Sequence, residues 1–195
     1  MGKIFYVMGK SASGKDTVYK LLLERNPDLK TVVLYTTRPV RDGERDGVEY
    51  HFSDEDALIK AREEGRLIEA RTYDTVFGPW SYFTVDDGQF DLKNHSYLMI
   101  GTLESFEKMQ EYFGRDVVIP FYICVEDGLR LERALSRERM QKNPKYSELC
   151  RRYLADEKDF CEENLKRCGI TRRYENVELE DCLKEIIGDM KRSMV

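Results

Sequence analysis

Residues 9–17 read Gly-Lys-Ser-Ala-Ser-Gly-Lys-Asp-Thr and follow the apolar run Ile4-Phe5-Tyr6-Val7-Met8. A buried strand, a Gly-rich loop and a helix opening near Lys15 together make an anion cradle. The glycines let backbone N–H groups turn inward, and the helix start adds the positive end of its dipole. On this reading Gly9, Lys10, Ser11, Ala12, Ser13, Gly14, Lys15, Asp16 and Thr17 hold the phosphates of a nucleotide, and Lys15 brings a mobile point charge to the outer ones. The bland alternative is a surface turn with a stray lysine. The hydroxyl residue expected after the lysine, which ordinarily ligates Mg2+, is replaced by Asp16, with Thr17 next. Asp16 either ligates the metal itself or is an early-turn acid favoured by the helix dipole.

Two further groups point to phosphate. Arg38 and Arg41 lie on one charged loop with Tyr50 downstream. Two guanidiniums can fork a dianionic phosphate, and a phenol adds a neutral donor. The alternative is pairing with Asp42, Glu44 and Asp46 close by. Arg130, Arg133, Arg137 and Arg139, then Arg151 and Arg152, form the other group; Arg133 and Arg137 are four apart and share a helix face. Such arginines screen the charge that builds up during phosphoryl transfer. Their alternative is a solvated face paired with Glu132, Glu138 and Glu148.

The elements that must position these groups alternate. Strands are expected at 4–8, 31–35, 48–52, 67–73, 82–85, 97–100, 117–125 and 174–179, and helices at 15–25, 53–64, 103–113, 127–141, 147–166 and 180–191. Ser53 with Asp56 opens the second helix as a capping box, and Ser147 caps the fifth. Alternating strands and helices predict an α/β fold with a parallel sheet covered on both faces. The stretch 35–85 breaks the alternation and reads as an inserted lobe; the Arg-rich stretch 128–155 reads as another. The 195 residues suffice for one such domain without disulfide staples.

Lys plus Arg number 32 against 37 Asp plus Glu, a net charge of −5, which argues against a general nucleic-acid or membrane-surface binder. Cys124, Cys150, Cys161, Cys168 and Cys182 form no CxxC pair and the two histidines, His51 and His95, stand alone, so no zinc site is expected. Scattered thiols fit a reducing cytoplasm. No apolar run approaches the ~18 residues of a membrane span, and no signal peptide is evident.

Thr36-Thr37-Arg38-Pro39-x-Arg41-x-Gly43-Glu44-x-x-Gly47-x-x-Tyr50-x-Phe52, followed by Leu67-Ile68-Glu69, resembles the acceptor loop of the guanylate kinase family. With the phosphate loop and the Arg-rich stretch, the resemblance takes in most of the chain. It implies a P-loop NTPase core (1–34, 86–127 and 156–195), a GMP-binding lobe (35–85) and a helical lid (128–155) closing over ATP. Arg38, Arg41 and Tyr50 would hold the GMP phosphate. Glu69 would accept from the guanine ring nitrogen and amino group, its alternative being an ordinary polar residue at a strand end. Phe77, at the family's Tyr, joins the GMP-binding group. Arg133, Arg137 and Arg152 (or Arg151) match the lid arginines and, with Lys15, would be catalytic.

The activity implied is direct in-line transfer from ATP, with Mg2+, to GMP by a cytoplasmic monomer or homodimer that binds neither nucleic acid nor membrane. The alternatives are a kinase of another phosphomonoester, such as ribose 1,5-bisphosphate, and a non-catalytic protein-binding module. The chain departs from the family in four places. Phe77-Gly78-Pro79 replaces Tyr-Gly-Ser/Thr, and Leu34-Tyr35 stand where a Ser near the guanine is common. Met99-Ile100-Gly101 replaces Asp-x-Asp, and Ala12 replaces a loop Gly.

Overall fold

The strand β1 (Ile4–Met8) is buried at every residue, as a strand packed on both faces must be. It lies inside a four-stranded parallel sheet of order β6-β1-β7-β8, with β6 at Tyr97–Ile100, β7 at Val118–Cys124 and β8 at Arg173–Glu175. The computed structural model describes residues 1–75 and 78–194. Successive side chains of a strand point to opposite faces. Phe5, Val7, Phe121 and Ile123 therefore pack with Val18 and Leu22 of α1 (Lys15–Arg25) and with Leu183 and Ile186 of α7 (Leu179–Ser193). Ile4, Tyr6, Met8 and Tyr122 pack the other way, on Phe106 of α3 (Leu103–Phe113), Phe160, and Leu165 of α6 (Glu162–Arg167).

A second sheet has the order β3-β2-β5-β4: β2 at Tyr35–Thr36, β3 at His51–Phe52, β4 at Leu67–Thr75 and β5 at Gly78–Val85. β5 runs antiparallel to both β4 and β2, and α2 (Glu55–Glu63) covers the sheet with Leu58 and Ala61 on Phe83 and Val85. The Arg-rich stretch forms two helices, α4 (Asp127–Arg139) and α5 (Tyr146–Asp159). This is the parallel α/β architecture read from the sequence. No helix among the described residues is long and apolar enough to cross a membrane.

Several expected elements change. The strand at 31–35 shrinks to Tyr35–Thr36 because the Gln89 side chain takes both backbone groups of Val33, at 2.9 and 3.2 Å. The strand at 48–52 shrinks to His51–Phe52 because Val48 and Glu49 turn back to donate to Arg45 O. Asp54, not Ser53, caps α2, accepting from Ala57 N at 2.9 Å. α5 begins at Tyr146, without a cap from Ser147. The long helix expected over 147–166 divides after Asp159, where Asn164 Nδ2 donates to the carbonyls of Lys158 and Asp159. That break turns Phe160 and Leu165 into the core. β5 extends back to Gly78 as the second arm of a hairpin with β4.

Candidate active site: a phosphate loop and an acceptor loop

The phosphate loop has its shape for steric reasons. A Cβ on Gly9 would lie 2.3 Å from Ile123 O, and one on Gly14 would lie 2.2 Å from Asn176 Nδ2. That amide, at the end of β8, donates to Ser13 O at 2.8 Å. Gly14 has φ +86°, which glycine adopts freely. Ala12 has φ +64°, a left-handed conformation costing roughly 1–2 kcal/mol for a residue with a Cβ. α1 opens without a side-chain cap. Its first N–H groups therefore have no partner inside the helix and remain available to an anion.

Lys15 is the first residue of α1, and its side chain is half-buried rather than on an exposed loop. Its ion-pair partner is Asp16, at 3.6 Å, whose carboxylate is 81 % exposed. Lys10 donates to Glu157 of α5, at 2.7 and 2.8 Å, while Ser11 N donates to Asp156 at 2.7 Å. The Ser13 hydroxyl is buried and has no hydrogen-bond partner among the described residues.

In the acceptor loop, Arg38 is buried and forks Glu44 through two bonds of 2.9 Å. It also donates to Pro39 O and lies over the rings of Tyr50 and Phe52, at 5.4 and 5.6 Å from their centroids. Glu44 accepts from Arg41 N at 2.9 Å as well, and the Arg38 hydrogen bond holds its carboxyl below the usual carboxylate range. Arg38 N bonds Thr36, whose hydroxyl donates to Ser81 O on β5. The carboxylate pairing foreseen as the alternative is thus real for Arg38, and it orients the guanidinium. The Arg41 side chain is exposed. Tyr50 is half-buried with its edge toward Tyr82 and Phe52, and burial pushes its phenol up.

Glu69, on β4, is almost completely buried. It accepts from Arg71 Nε at 3.0 Å and Nη2 at 3.4 Å, and from the Thr84 hydroxyl at 2.8 Å. Arg71 Nη1 reaches Thr102, the N-cap of α3, at 3.4 Å. Neither Arg71 nor Tyr6 was singled out in the sequence; the available signal was that residues two apart on a strand share a face. Tyr6 is buried with its hydroxyl 2.6 Å from Ser105, and burial pushes the phenol well up. A Cβ on Gly101 would lie 2.1 Å from that hydroxyl. Phe77 lies outside the described residues.

The arginines separate. Arg133 donates to Asn176 O at 3.0 Å and reaches Val177 O at 3.5 Å, beside the loop after β8. Arg137 and Arg152 both line a narrow gap between α4 and α5, with Ser11. Arg152 is 3.5 Å from Glu148, and its buried Nε has no hydrogen-bond partner among the described residues. Arg151 pairs outward with Glu148. A cavity of about 640 Å³ opens beside Lys10 and Ser13, between β7, β8 and the ends of α4 and α5.

A Gly-rich loop between the central strand of a parallel sheet and an uncapped helix defines a P-loop α/β protein. Residues 1–82 match the family model for guanylate kinase. The chain is 38 % identical over 79 residues to the guanylate kinase of Legionella pneumophila strain Paris, covering 40 % of this chain and 36 % of that one. It is 35 % identical over 78 residues to that of Pseudomonas fluorescens strain Pf0-1, covering 40 % and 38 %. The match thus spans under two fifths of these curated relatives. The crystal structure of guanylate kinase from Anaplasma phagocytophilum aligns over 98 % of this chain and 85 % of its own, with a TM-score of 0.61 and 23 % identity. That likeness shows the fold.

Proposed function

We propose that the protein is a phosphotransferase that moves the γ-phosphoryl group of Mg-ATP in line onto the phosphate of GMP. An acceptor phosphate oxygen forms the new bond to the γ-phosphorus as its bond to the bridging oxygen breaks, leaving GDP and ADP. The observation that carries this reading is the cradle at residues 9–17, with an uncapped α1 and Lys15 at its mouth. The acceptor phosphate is already anionic, so no side-chain base is needed; positioning, charge screening and exclusion of water do the work.

Arg38, Arg41 and Tyr50 hold the acceptor phosphate, with Glu44 fixing Arg38. Arg133, Arg137 and Arg152 screen the transferring group. The exposed Asp16 carboxylate on the first turn of α1 suits Mg2+, which takes one or two protein oxygens and completes its shell with phosphate and water. Bound there, Mg2+ would neutralise charge on the ATP phosphates.

A second reading keeps the chemistry and changes the acceptor to a phosphomonoester without guanine. It is favoured by the Glu69 carboxylate, already neutralised by Arg71 and bonded to Thr84, and by Tyr6 standing where a side chain at position 101 would be. The test is ADP release from Mg-ATP with GMP, dGMP, AMP, UMP, CMP and ribose 1,5-bisphosphate. Selective turnover of GMP, lost in Glu69→Ala, upholds the first reading. Turnover of another acceptor, indifferent to Glu69→Ala, replaces it with the second. ATP binding without transfer to any acceptor overturns both in favour of a binding module.

A further inference from the structure

Among the described residues, Arg130 of α4 is the largest side chain fully withdrawn from solvent. A buried guanidinium persists only if its charge and its N–H groups are answered. Three carboxylates and a ring answer this one. Nε lies 3.1 Å from Asp127, Nη1 is 3.5 Å from Asp156, Nη2 bonds Glu157, and the guanidinium carbon sits 3.9 Å from the centroid of Tyr153. Such crowding of acceptors around one arginine is more than burial requires, and the excess leads elsewhere.

Two of those carboxylates continue to consecutive residues of the phosphate loop. Asp156 accepts the Ser11 backbone N–H at 2.7 Å. Glu157 receives the Lys10 ammonium at 2.7 and 2.8 Å, and Asp127 is 3.6 Å from the same ammonium. The cluster therefore holds Asp127, Asp156 and Glu157 against Arg130 and Lys10. Arg130 is the member that touches all three carboxylates, and it belongs to α4, whereas Asp156 and Glu157 belong to α5.

We propose that Arg130 is a positioning residue of the donor site: through Asp156 and Glu157 it holds the outer arm of the phosphate loop, Lys10 and Ser11, in the form that receives ATP. This rests on the reading of residues 9–17 as the ATP site. Removing the guanidinium releases Asp156 from its alignment on Ser11 and leaves Lys10 alone against three carboxylates. The uncompensated negative charge then stands beside a cradle that must take a triphosphate.

The experiment is titration of the whole protein with Mg-ATP, alongside kinetics in both substrates, for the wild type, Arg130→Met, Arg130→Lys and Arg130→Met/Glu157→Gln. Methionine keeps most of the stem packing of arginine. Arg130→Met is expected to raise the Kd for ATP about tenfold while acceptor KM stays within about twofold. Glu157→Gln on that background, which removes one uncompensated carboxylate, restores ATP binding to within about threefold of the wild type. Arg130→Lys, which keeps the charge and loses the fork, falls between; if Arg130→Met does not fold, this variant carries the test by the same split between donor and acceptor. A merely structural role would lower the melting temperature, affect both substrates alike and gain nothing from Glu157→Gln; that pattern, or unchanged ATP binding, overturns the proposal. Failure of the wild type itself to bind Mg-ATP overturns the donor-site reading instead, and this inference with it.

Discussion

Tyr6 and Gly101 compete for one space. A side-chain carbon on Gly101 would lie 2.1 Å from the Tyr6 hydroxyl, which is itself held 2.6 Å from Ser105 and buried beneath α3. A tyrosine on the neighbouring strand fills the space that a side chain at 101 would take. Glycine is then the one residue that fits.

Gly101→Asp is accordingly expected to destabilise the fold by about 2–3 kcal/mol through overpacking and carboxylate burial. Adding Tyr6→Ala vacates the space, so the double variant should be more stable than the sum of its parts by about 1 kcal/mol or more. Urea denaturation of the four proteins measures this coupling. Additive effects would mean that the two residues do not compete.

Lys15→Ala separates chemistry from folding. Its ion pair with the exposed Asp16 is long, and pairs of that kind contribute about 0–1 kcal/mol. The melting temperature should barely move, whereas phosphoryl transfer should fall about 100- to 1,000-fold with loss of the charge at the outer phosphates. Full activity in this variant would remove the cradle from the mechanism.

The Arg38–Glu44 fork makes its loop acid-sensitive. Its hydrogen bond from Arg38 holds the Glu44 carboxyl below its ordinary value, so the unfolded chain takes up the proton first as pH falls. The contribution is fully present above the ordinary glutamate value of about 4.3 and disappears as pH drops through the depressed folded value. Wild type should therefore exceed Glu44→Gln in stability at neutral pH, and the gap should close in acid. A gap independent of pH would show that the pair does not hold the loop.

The thiols offer a check on packing. Cys150 is exposed, while Cys182 is buried among α7, α1 and the sheet, and burial pushes its thiol up to about 12. Alkylation of the native protein near pH 8, followed by mass spectrometry, should modify Cys150 first and Cys182 only at the rate of unfolding. Equal rates would contradict the docking of α7.

The parts legible in the sequence are those whose cause is local. The apolar run at 4–8, the glycines of the loop and the helix after Lys15 each follow from neighbouring residues, as does α3, where Thr102 and Ser105 form a reciprocal cap. The pairing of Arg38 with Glu44, six residues away, was legible too, as the alternative to a phosphate contact. Most of what escaped depends on residues far apart in the chain: Gln89 removes Val33 from a strand, and Tyr6 excludes any side chain at 101. Asn164 ends α5 from only five and six residues away, but by a side-chain bond that helical periodicity does not reveal. Arg71 was within reach, two residues from Glu69 on the same strand face, but its effect shows only once both are buried together.

The hydrogen bond from Asn176 to Ser13 bears on how the protein is born. It joins residues 163 positions apart, and the strands flanking β1, at 97–100 and 118–124, also come late. Domains emerge from the ribosome N-terminus first. The loop at 9–17 leaves the tunnel before β6, β7 and Asn176, yet it cannot be set until all three have followed. A nascent or C-terminally clipped chain would carry the complete loop sequence without a working cradle.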